Sequence, residues 1–170
     1  MRRYVGVAAA FLLLGANALP AAAQTAPGAP AWRVTADVVT SARNGKGVQG
    51  VICVQQSVFA PGDTIIFRAV VTDLSGTPLT ADQLTQRGVK VAVTTGEGAR
   101  IPLVYEQHPP PNVPSPNHDN YFAAAYPISH DHPTGTLTWT LAATDAQGHT
   151  VTFTPIGQAA GVTAVQIVAK

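Results

Sequence analysis

Residues 59–78 constrain the fold most, because they place a β-strand pattern between two turn motifs. Pro61-Gly62-Asp63 is typical of a turn that begins a strand, and Asp73-x-x-Gly76 of a turn that ends one. Between the turns, residues 65, 67, 69 and 71 share one face, and residues 66, 68, 70 and 72 share the other. The pattern predicts a half-buried strand. Its recurrence over residues 133–153 predicts two such strands that anchor one β-sandwich.

The rest of the chain favours β-structure in the same way. Nine strand candidates alternate apolar and polar residues or form short apolar runs between turn signals. Residues 79–87 are the one helix candidate, because Thr80 and Gln83 have capping-box spacing and Gly88 follows as a stop. This composition of elements predicts an all-β, antiparallel sandwich. The alternation also predicts that one face of each sheet meets solvent.

The N-terminus is typical of a signal peptide. Arg2 and Arg3 form a basic start, residues 5–16 are apolar, and alanines occupy positions 21–23. We therefore expect a signal peptide at residues 1–23, a flexible lead-in at 24–31 and a single β-sandwich domain at 32–170. The apolar run is shorter than the roughly 20 residues of a membrane-spanning helix, so a retained anchor is the weaker interpretation. The expected location is periplasmic or secreted, with no stable membrane anchor after cleavage.

The net charge and the cysteine content limit the kinds of partner and of covalent bond that the chain can have. The formal net charge is +1, and removal of Arg2 and Arg3 with the leader makes it −1. A nearly neutral chain predicts no nucleic-acid partner. Cys53 is the one cysteine, so no internal disulfide is possible. In its apolar run Cys53 is typical of a small buried residue, while the alternative is a reactive thiol that pairs with another chain or a soft metal.

The turn motifs resemble those of a known class of secreted domain. Pro61-Gly62-Asp63-Thr64 precedes a strand that ends in Thr72-Asp73-x-x-Gly76-x-Pro78. Pro133-Thr134-Gly135-Thr136 likewise precedes a strand that ends in Thr144-Asp145-x-x-Gly148. Over residues 58–155 the chain resembles bacterial immunoglobulin-like domains, and macroglobulin-type sandwiches in particular. The resemblance implies an immunoglobulin-like β-sandwich, and it departs from antibody-type domains in lacking paired cysteines. Such sandwiches have many roles, so the resemblance implies no particular activity.

The strongest candidate for a binding surface is the segment 106–120. Its five prolines exclude a central strand or a helix, and a long irregular loop in a compact domain is often functional. The aromatic rings of Tyr105 and Tyr121 flank the segment, and His108 and His118 lie within it. We therefore predict that Tyr105, His108, His118 and Tyr121 bind a protein partner or ligand. The alternative for the tyrosines, and for Trp139 above all, is packing in the core or at a sheet edge.

Histidines in two loops suggest a metal site. His130 and His132 are two residues apart, so in an extended segment both imidazoles point the same way. With His118, and with Asp119 and Asp131 to complete the site, they would provide a ligand set suited to zinc or copper. One strand separates the two loops, which places them at opposite ends of it unless the longer loop folds back. The alternative is solvated histidines beside turn-forming residues, with no cofactor.

The sequence contains none of the common nucleophile, zinc-protease or phosphate-binding motifs. Asp73 and Asp145 have the spacing of carboxylates that accept hydrogen bonds within their own turns. The leading hypothesis is therefore an exported, non-catalytic β-sandwich that acts as a binding or accessory module for a periplasmic or extracellular protein. The alternatives are a copper- or zinc-binding protein that uses His118, His130 and His132, and an enzyme with an unfamiliar site.

Overall fold

The computed structural model describes residues 28–41, 55–108, 119–156 and 165–169. The described residues form ten β-strands and one α-helix. The strands are β1 (Trp32–Thr40), β2 (Val58–Phe59), β3 (Thr64–Asp73), β4 (Lys90–Thr95), β5 (Arg100–His108), β6 (Asp119–Pro127), β7 (Gly135–Leu137), β8 (Trp139–Thr144), β9 (Thr150–Phe153) and β10 (Val165–Ile167). The helix is α1 (Ala81–Arg87). The chain is thus predominantly antiparallel β, which confirms the all-β prediction.

Strand β3 has the predicted alternation. The side chains of Ile65, Phe67, Ala69 and Val71 are buried, and the intervening residues are partly exposed. Strand β8 repeats the pattern, with Trp139, Leu141 and Ala143 buried. Both runs therefore have the predicted period of two residues, with one face buried.

Seven strands form one folded sheet in the order β1-β3-β6-β5-β4-β8-β9. Strand β5 changes partner along its length: Arg100 to Leu103 pair with β4, and Val104 to His108 pair with β6. The sheet therefore has two halves, and β1 of the first half contacts β9 of the second. Their inner faces pack together, giving a sandwich-like arrangement.

The core joins the two halves of the sheet. Phe67 of β3 is fully buried, and its ring centroid lies 5.2 Å from that of Trp139 on β8 and 6.4 Å from that of Tyr126 on β6. Trp139 is 3% exposed and packs in the core, in agreement with the packing interpretation of this residue. A second, three-stranded sheet has the order β2-β10-β7, with β10 parallel to β2 and antiparallel to β7.

Two predicted turns have the same hydrogen bonds. Asp73 Oδ1 accepts from the backbone N–H groups of Ser75 and Thr77. Asp145 Oδ1 accepts from the equivalent N–H groups of Gln147 and His149. The turn interpretation of both aspartates is confirmed, because each carboxylate holds its own loop.

Helix α1 begins and ends where the capping pattern predicts. Thr80 Oγ1 accepts from the backbone N–H of Gln83, and the Gln83 side chain accepts from the backbone N–H of Thr80. Gly88 ends the helix in a left-handed conformation. Within the described ranges, no helix is long and apolar enough to cross a membrane.

Some boundaries differ from the predicted ones. Strand β5 extends to His108 and β6 begins at Asp119, because these two residues are register partners in a longer ladder. The segment predicted as irregular, 106–120, is thus regular at both ends. The predicted strand 134–144 is divided into β7 and β8 at Thr138, whose carbonyl accepts from Gly96 N–H. Cys53 with its apolar run, His118 and the expected leader lie outside the described residues.

Candidate functional site

Two of the predicted binding residues, His108 and Tyr121, form a stacked pair. Their ring centroids are 4.3 Å apart and their planes differ by 14°. The register of β5 and β6 explains the contact, since Glu106 is the partner of Tyr121 and His108 is the partner of Asp119. Residues 106 and 108 on β5 and 119 and 121 on β6 therefore share one face of the sheet, at the base of residues 109–118.

Arg68 continues this face onto β3. Its guanidinium carbon lies 5.5 Å from the centroid of the Tyr121 ring, within the range of a cation–π contact. The guanidinium also donates two hydrogen bonds to Asp37 on β1, at 2.9 Å from Nε and 2.5 Å from Nη2. The bidentate geometry fixes the guanidinium plane against the ring.

These contacts form a continuous row of side chains across β1, β3, β6 and β5. We call it the polar row, and its members in spatial order are Gln55, Asp37, Arg68, Tyr121, His108 and Glu106. Each member contacts the next, so the row is held by its own interactions as well as by the sheet. These mutual contacts restrict the rotamers that each side chain of the row can adopt.

Within the row, burial controls the ionisation of His108. Burial lowers the pKa of His108 below the usual 6.5; the nearby Glu106 carboxylate opposes this shift and Arg68 reinforces it. The imidazole is therefore neutral at pH 7. Its Nε2 lies 3.3 Å from Glu106 Oε1 but without hydrogen-bond geometry to any described residue.

Asp37 and Arg68 are both ionised at pH 7. Burial raises the pKa of Asp37, but hydrogen bonds from Arg68 and Gln55 outweigh burial, so the pKa lies below its ordinary value. The hydrogen bonds to Asp37 raise the pKa of Arg68 well above its ordinary value. The two charges compensate each other in the middle of the row.

A groove of about 860 Å³ adjoins the polar row. Strand β3 pairs with β6 only as far as Ala69 and Phe122, although β3 continues to Asp73 and β6 begins at Asp119. Beyond that pair the strands separate, and Pro78 and Leu79 take the place beside β3: Thr72 bridges to Pro78, and Leu79 N–H donates to Val71 O. We call the space between the separated strands the splay groove. Its lining residues are Thr35, Ala36, Asp37, Arg68, Ala69, Val70, Pro78, Leu79, Thr80, Ala81, Tyr105, Asp119, Asn120 and Tyr121.

Tyr105 also lines the splay groove, but from the inner side of the sheet. It is the register partner of Phe122, and the two ring centroids are 5.1 Å apart. Burial raises the pKa of the Tyr105 phenol above its usual value. The two predicted tyrosines thus line one groove, Tyr121 from its polar side and Tyr105 from its apolar side.

His130 and His132 lie far from this site. Strand β6 separates them from His108, and its nine residues span about 27 Å at the usual rise per residue. His132 Nε2 lies 3.0 Å from Glu97 Oε1, and its Nδ1 lies 2.8 Å from Pro133 O. His130 packs on the backbone of Gly62, where a built Cβ would lie 2.5 Å from the ring.

The ring nitrogens of His132 are therefore both engaged within the protein. No group of three or more His, Cys, Asp or Glu residues able to hold a metal occurs in the part of the chain that the structure describes. His118 lies outside that part, so the metal site with His118, His130 and His132 stays a prediction. Asp119 is on the same side as His108, at the other end of β6 from Asp131.

Sequence reasoning missed Asp37 and Arg68 as members of the site. One signal was present for Arg68, since it is the only cation in the otherwise apolar and hydroxyl-bearing run 64–72. A charged residue in the middle of a strand tends to have a partner. Its partner Asp37 is 31 residues away, and only the β1–β3 register identifies it.

Comparisons with known proteins include a weak likeness to a solved structure. No protein-family model matches the chain, and no curated protein matches it. Among solved structures, the chain is similar to the crystal structure of a DUF4426 family protein from Pseudomonas aeruginosa PAO1, at 18% sequence identity and a TM-score of 0.39. The match covers 74% of this chain and 86% of that one.

Proposed function

We propose that the protein is an exported, non-catalytic binding or accessory module that recognises a periplasmic or extracellular protein. One observation carries the proposal: the groove between β3 and β6 lies at the base of residues 109–118 and is lined by Tyr105 and Tyr121. Concave sites with aromatic walls and a few fixed polar groups are typical of recognition. The immunoglobulin-like character of the sandwich, and its extent over residues 32–170, belong to the same proposal.

Export is supported by the pattern of the first 23 residues, with a basic start, an apolar run and small residues at the expected cleavage point. The proposed mature protein is periplasmic or secreted. Its function needs no nucleic acid and no membrane anchor, in agreement with a formal charge near zero.

The polar row gives the proposed binding surface its rigidity. Tyr121 lies between the Arg68 guanidinium and the His108 ring, so its position is fixed before a partner arrives. Tyrosine offers a large apolar face and a polar tip, which makes it a frequent anchor at interfaces. Binding through Tyr121 would therefore require little side-chain ordering.

Replacement of residues 109–118 tests the proposal. His108 and Asp119 are register partners, so an Asn-Gly link between them would close a two-residue hairpin and keep β5 and β6 paired. We expect this variant to keep the wild-type circular dichroism spectrum and to lose the partner captured by wild type from a native extracellular or periplasmic extract. The measurement is affinity capture followed by mass spectrometry.

The matched control is the His130→Ala/His132→Ala variant, which changes the opposite end of β6. We expect it to capture the same partner as wild type. Unchanged capture by the hairpin-closed variant would contradict the proposal. The control also addresses the metal alternative: purified wild-type protein that holds copper or zinc by elemental analysis, and loses it in this variant, would favour a metal-binding function instead.

A further inference from the structure

We infer that the splay groove binds an extended, basic peptide segment of the partner, which adds as a strand to the start of β6. The inference rests on the proposed function and names the chemistry of what is bound. Two features of the groove lead to it: the separation of β3 from β6 and an excess of carboxylates around the opening.

The first feature is an open strand edge. Asp119 and Asn120 pair with His108 and Gln107 of β5 on one side. On the groove side, no strand of the described ranges pairs with these two residues, since β3 joins β6 only from Phe122 onward. An exposed strand edge is a template for another extended chain, because its backbone groups are already aligned.

Among the described residues, no other segment of the chain pairs with this edge of β6. Pro78 and Leu79 occupy the place beside β3 through the Thr72–Pro78 bridge and the Leu79-to-Val71 hydrogen bond. The groove therefore lies between Pro78–Leu79 and β6, and only its β6 wall is an open strand edge. Only β6 presents a continuous strand to an incoming peptide, so the peptide adds to β6 and leans on residues 78–81.

The groove is amphipathic, which suits alternating side chains. Ala36, Ala69 and Leu79 line its apolar side together with Tyr105. Asp37, Arg68 and Asp119 line its polar side. Successive side chains of an extended peptide point to opposite faces, so apolar residues of the peptide would meet the first set and polar residues the second.

The second feature is charge. Among residues that line the groove or lie within two sequence positions of the lining, carboxylates outnumber guanidinium groups by four to two. The carboxylates are those of Asp37, Asp82, Glu106 and Asp119, and the guanidinium groups are those of Arg33 and Arg68. The His108 imidazole adds no charge at pH 7, because burial lowers its pKa. Residues 109–118 contain no Asp, Glu, Lys or Arg. A cationic peptide is therefore electrostatically complementary to the site.

A bead-displayed peptide library tests the inference directly. One library has the form Lys-X-X-X-Lys and a second has the form Glu-X-X-X-Glu, with Val, Ile, Thr and Tyr at X. The probe is the full mature chain carrying a fluorophore. We expect capture by members of the lysine library only. No capture by any lysine peptide, or equal capture by the glutamate library, would overturn the inference.

Solution titration of a selected peptide then tests the groove itself. Ala81 lines the groove, is exposed and is the first residue of α1, so Ala81→Trp fills the groove without disturbing the core. We expect it to weaken binding at least about tenfold in fluorescence anisotropy. The matched control is Gln86→Trp, on an exposed position of the same helix outside the groove, which should bind as wild type does. Equal affinity of the two tryptophan variants would contradict the site.

An altered peptide and an altered protein distinguish hydrogen bonding of the peptide backbone to β6 from attraction between charged side chains. N-methylation of alternate peptide amides removes backbone donors and should weaken binding about tenfold. Asp119→Asn should weaken binding about threefold at low salt and have no effect at high salt. Full affinity of both N-methylated registers would exclude strand addition.

The outcome also separates this inference from the proposed function. If wild type captures a native partner, the hairpin-closed variant does not, and no lysine peptide binds, the module binds its partner by other chemistry. In that case the binding function stands and the peptide inference fails.

Discussion

At the scale of the residue, His108 shows how position in the sheet determines chemistry. The sequence marked it as one of two histidines near a Pro-rich loop, with a possible role in binding. In the structure it stacks on Tyr121 and is partly buried, and burial lowers its pKa. In the unfolded chain the His108 imidazole has its ordinary pKa of 6.5, so the lower pKa of the folded state means that folding favours the neutral imidazole.

This shift predicts a pH dependence of stability. Because the folded pKa of His108 lies below the unfolded value of 6.5, its contribution to stability is complete above pH 6.5 and is lost as the pH falls below that value. We expect the difference in free energy of unfolding between wild type and His108→Gln to shrink between pH 8 and pH 5. Urea unfolding at both pH values measures it. A difference that is constant, or that grows on acidification, would contradict the assigned burial.

At the scale of the element, the turns are the best-predicted parts of the molecule. In the turns at Asp73 and Asp145, the N–H of the first residue donates to the carbonyl of the fifth, and the N–H of the fourth donates back to the first. The turn at Thr95 repeats these bonds, and its side-chain oxygen accepts from the fifth residue, Ala99. The first and fourth residues determine this loop locally, which explains why sequence motifs identified two of the three copies.

Replacement of the glycine at the fourth position of these turns should destabilise the protein. Gly148 has φ of 85°, and nothing lies within 4 Å of a Cβ built on it, so only the backbone conformation opposes a larger residue. We expect Gly148→Ala to reduce the free energy of unfolding by about 1–2 kcal/mol. Urea unfolding measures the loss. Gly28→Ala is the matched control, since Gly28 also has open space around its Cβ and its φ lies outside the left-handed region; its stability should stay within about 0.5 kcal/mol of wild type.

At the scale of the whole molecule, the sequence predicted the elements but not their partners. Alternation identified β3 and β8 as half-buried strands, and capping residues identified α1. The division of β5 between β4 and β6 depends on pairings that no local pattern encodes. The polar row could not be predicted for the same reason, because five of its six members come from four strands that become neighbours only through the sheet order. The splay groove depends on where the β3–β6 ladder stops.

Substitution of Phe67 tests how much the packing between the two halves of the sheet stabilises the protein. It is 0% exposed and contacts Trp139 across the core. We expect Phe67→Ala to reduce the free energy of unfolding by about 3–5 kcal/mol, because a large cavity forms between the halves. Phe67→Leu keeps most of the volume and should cost less than about 2 kcal/mol. Similar losses for both variants, measured by urea unfolding, would show that the halves do not pack through this ring.

The order of strands in the small sheet affects how the chain reaches its native state. Strand β10 lies between β2 and β7, and Ile167 is the register partner of both Phe59 and Gly135. Residue 167 is synthesised after both residue 59 and residue 135, so this sheet can be completed only once β10 is available. Until then the edges of β2 and β7 are available to other chains. Loss of β10 would expose the same two edges again, so we expect β10 to protect both of them against aggregation.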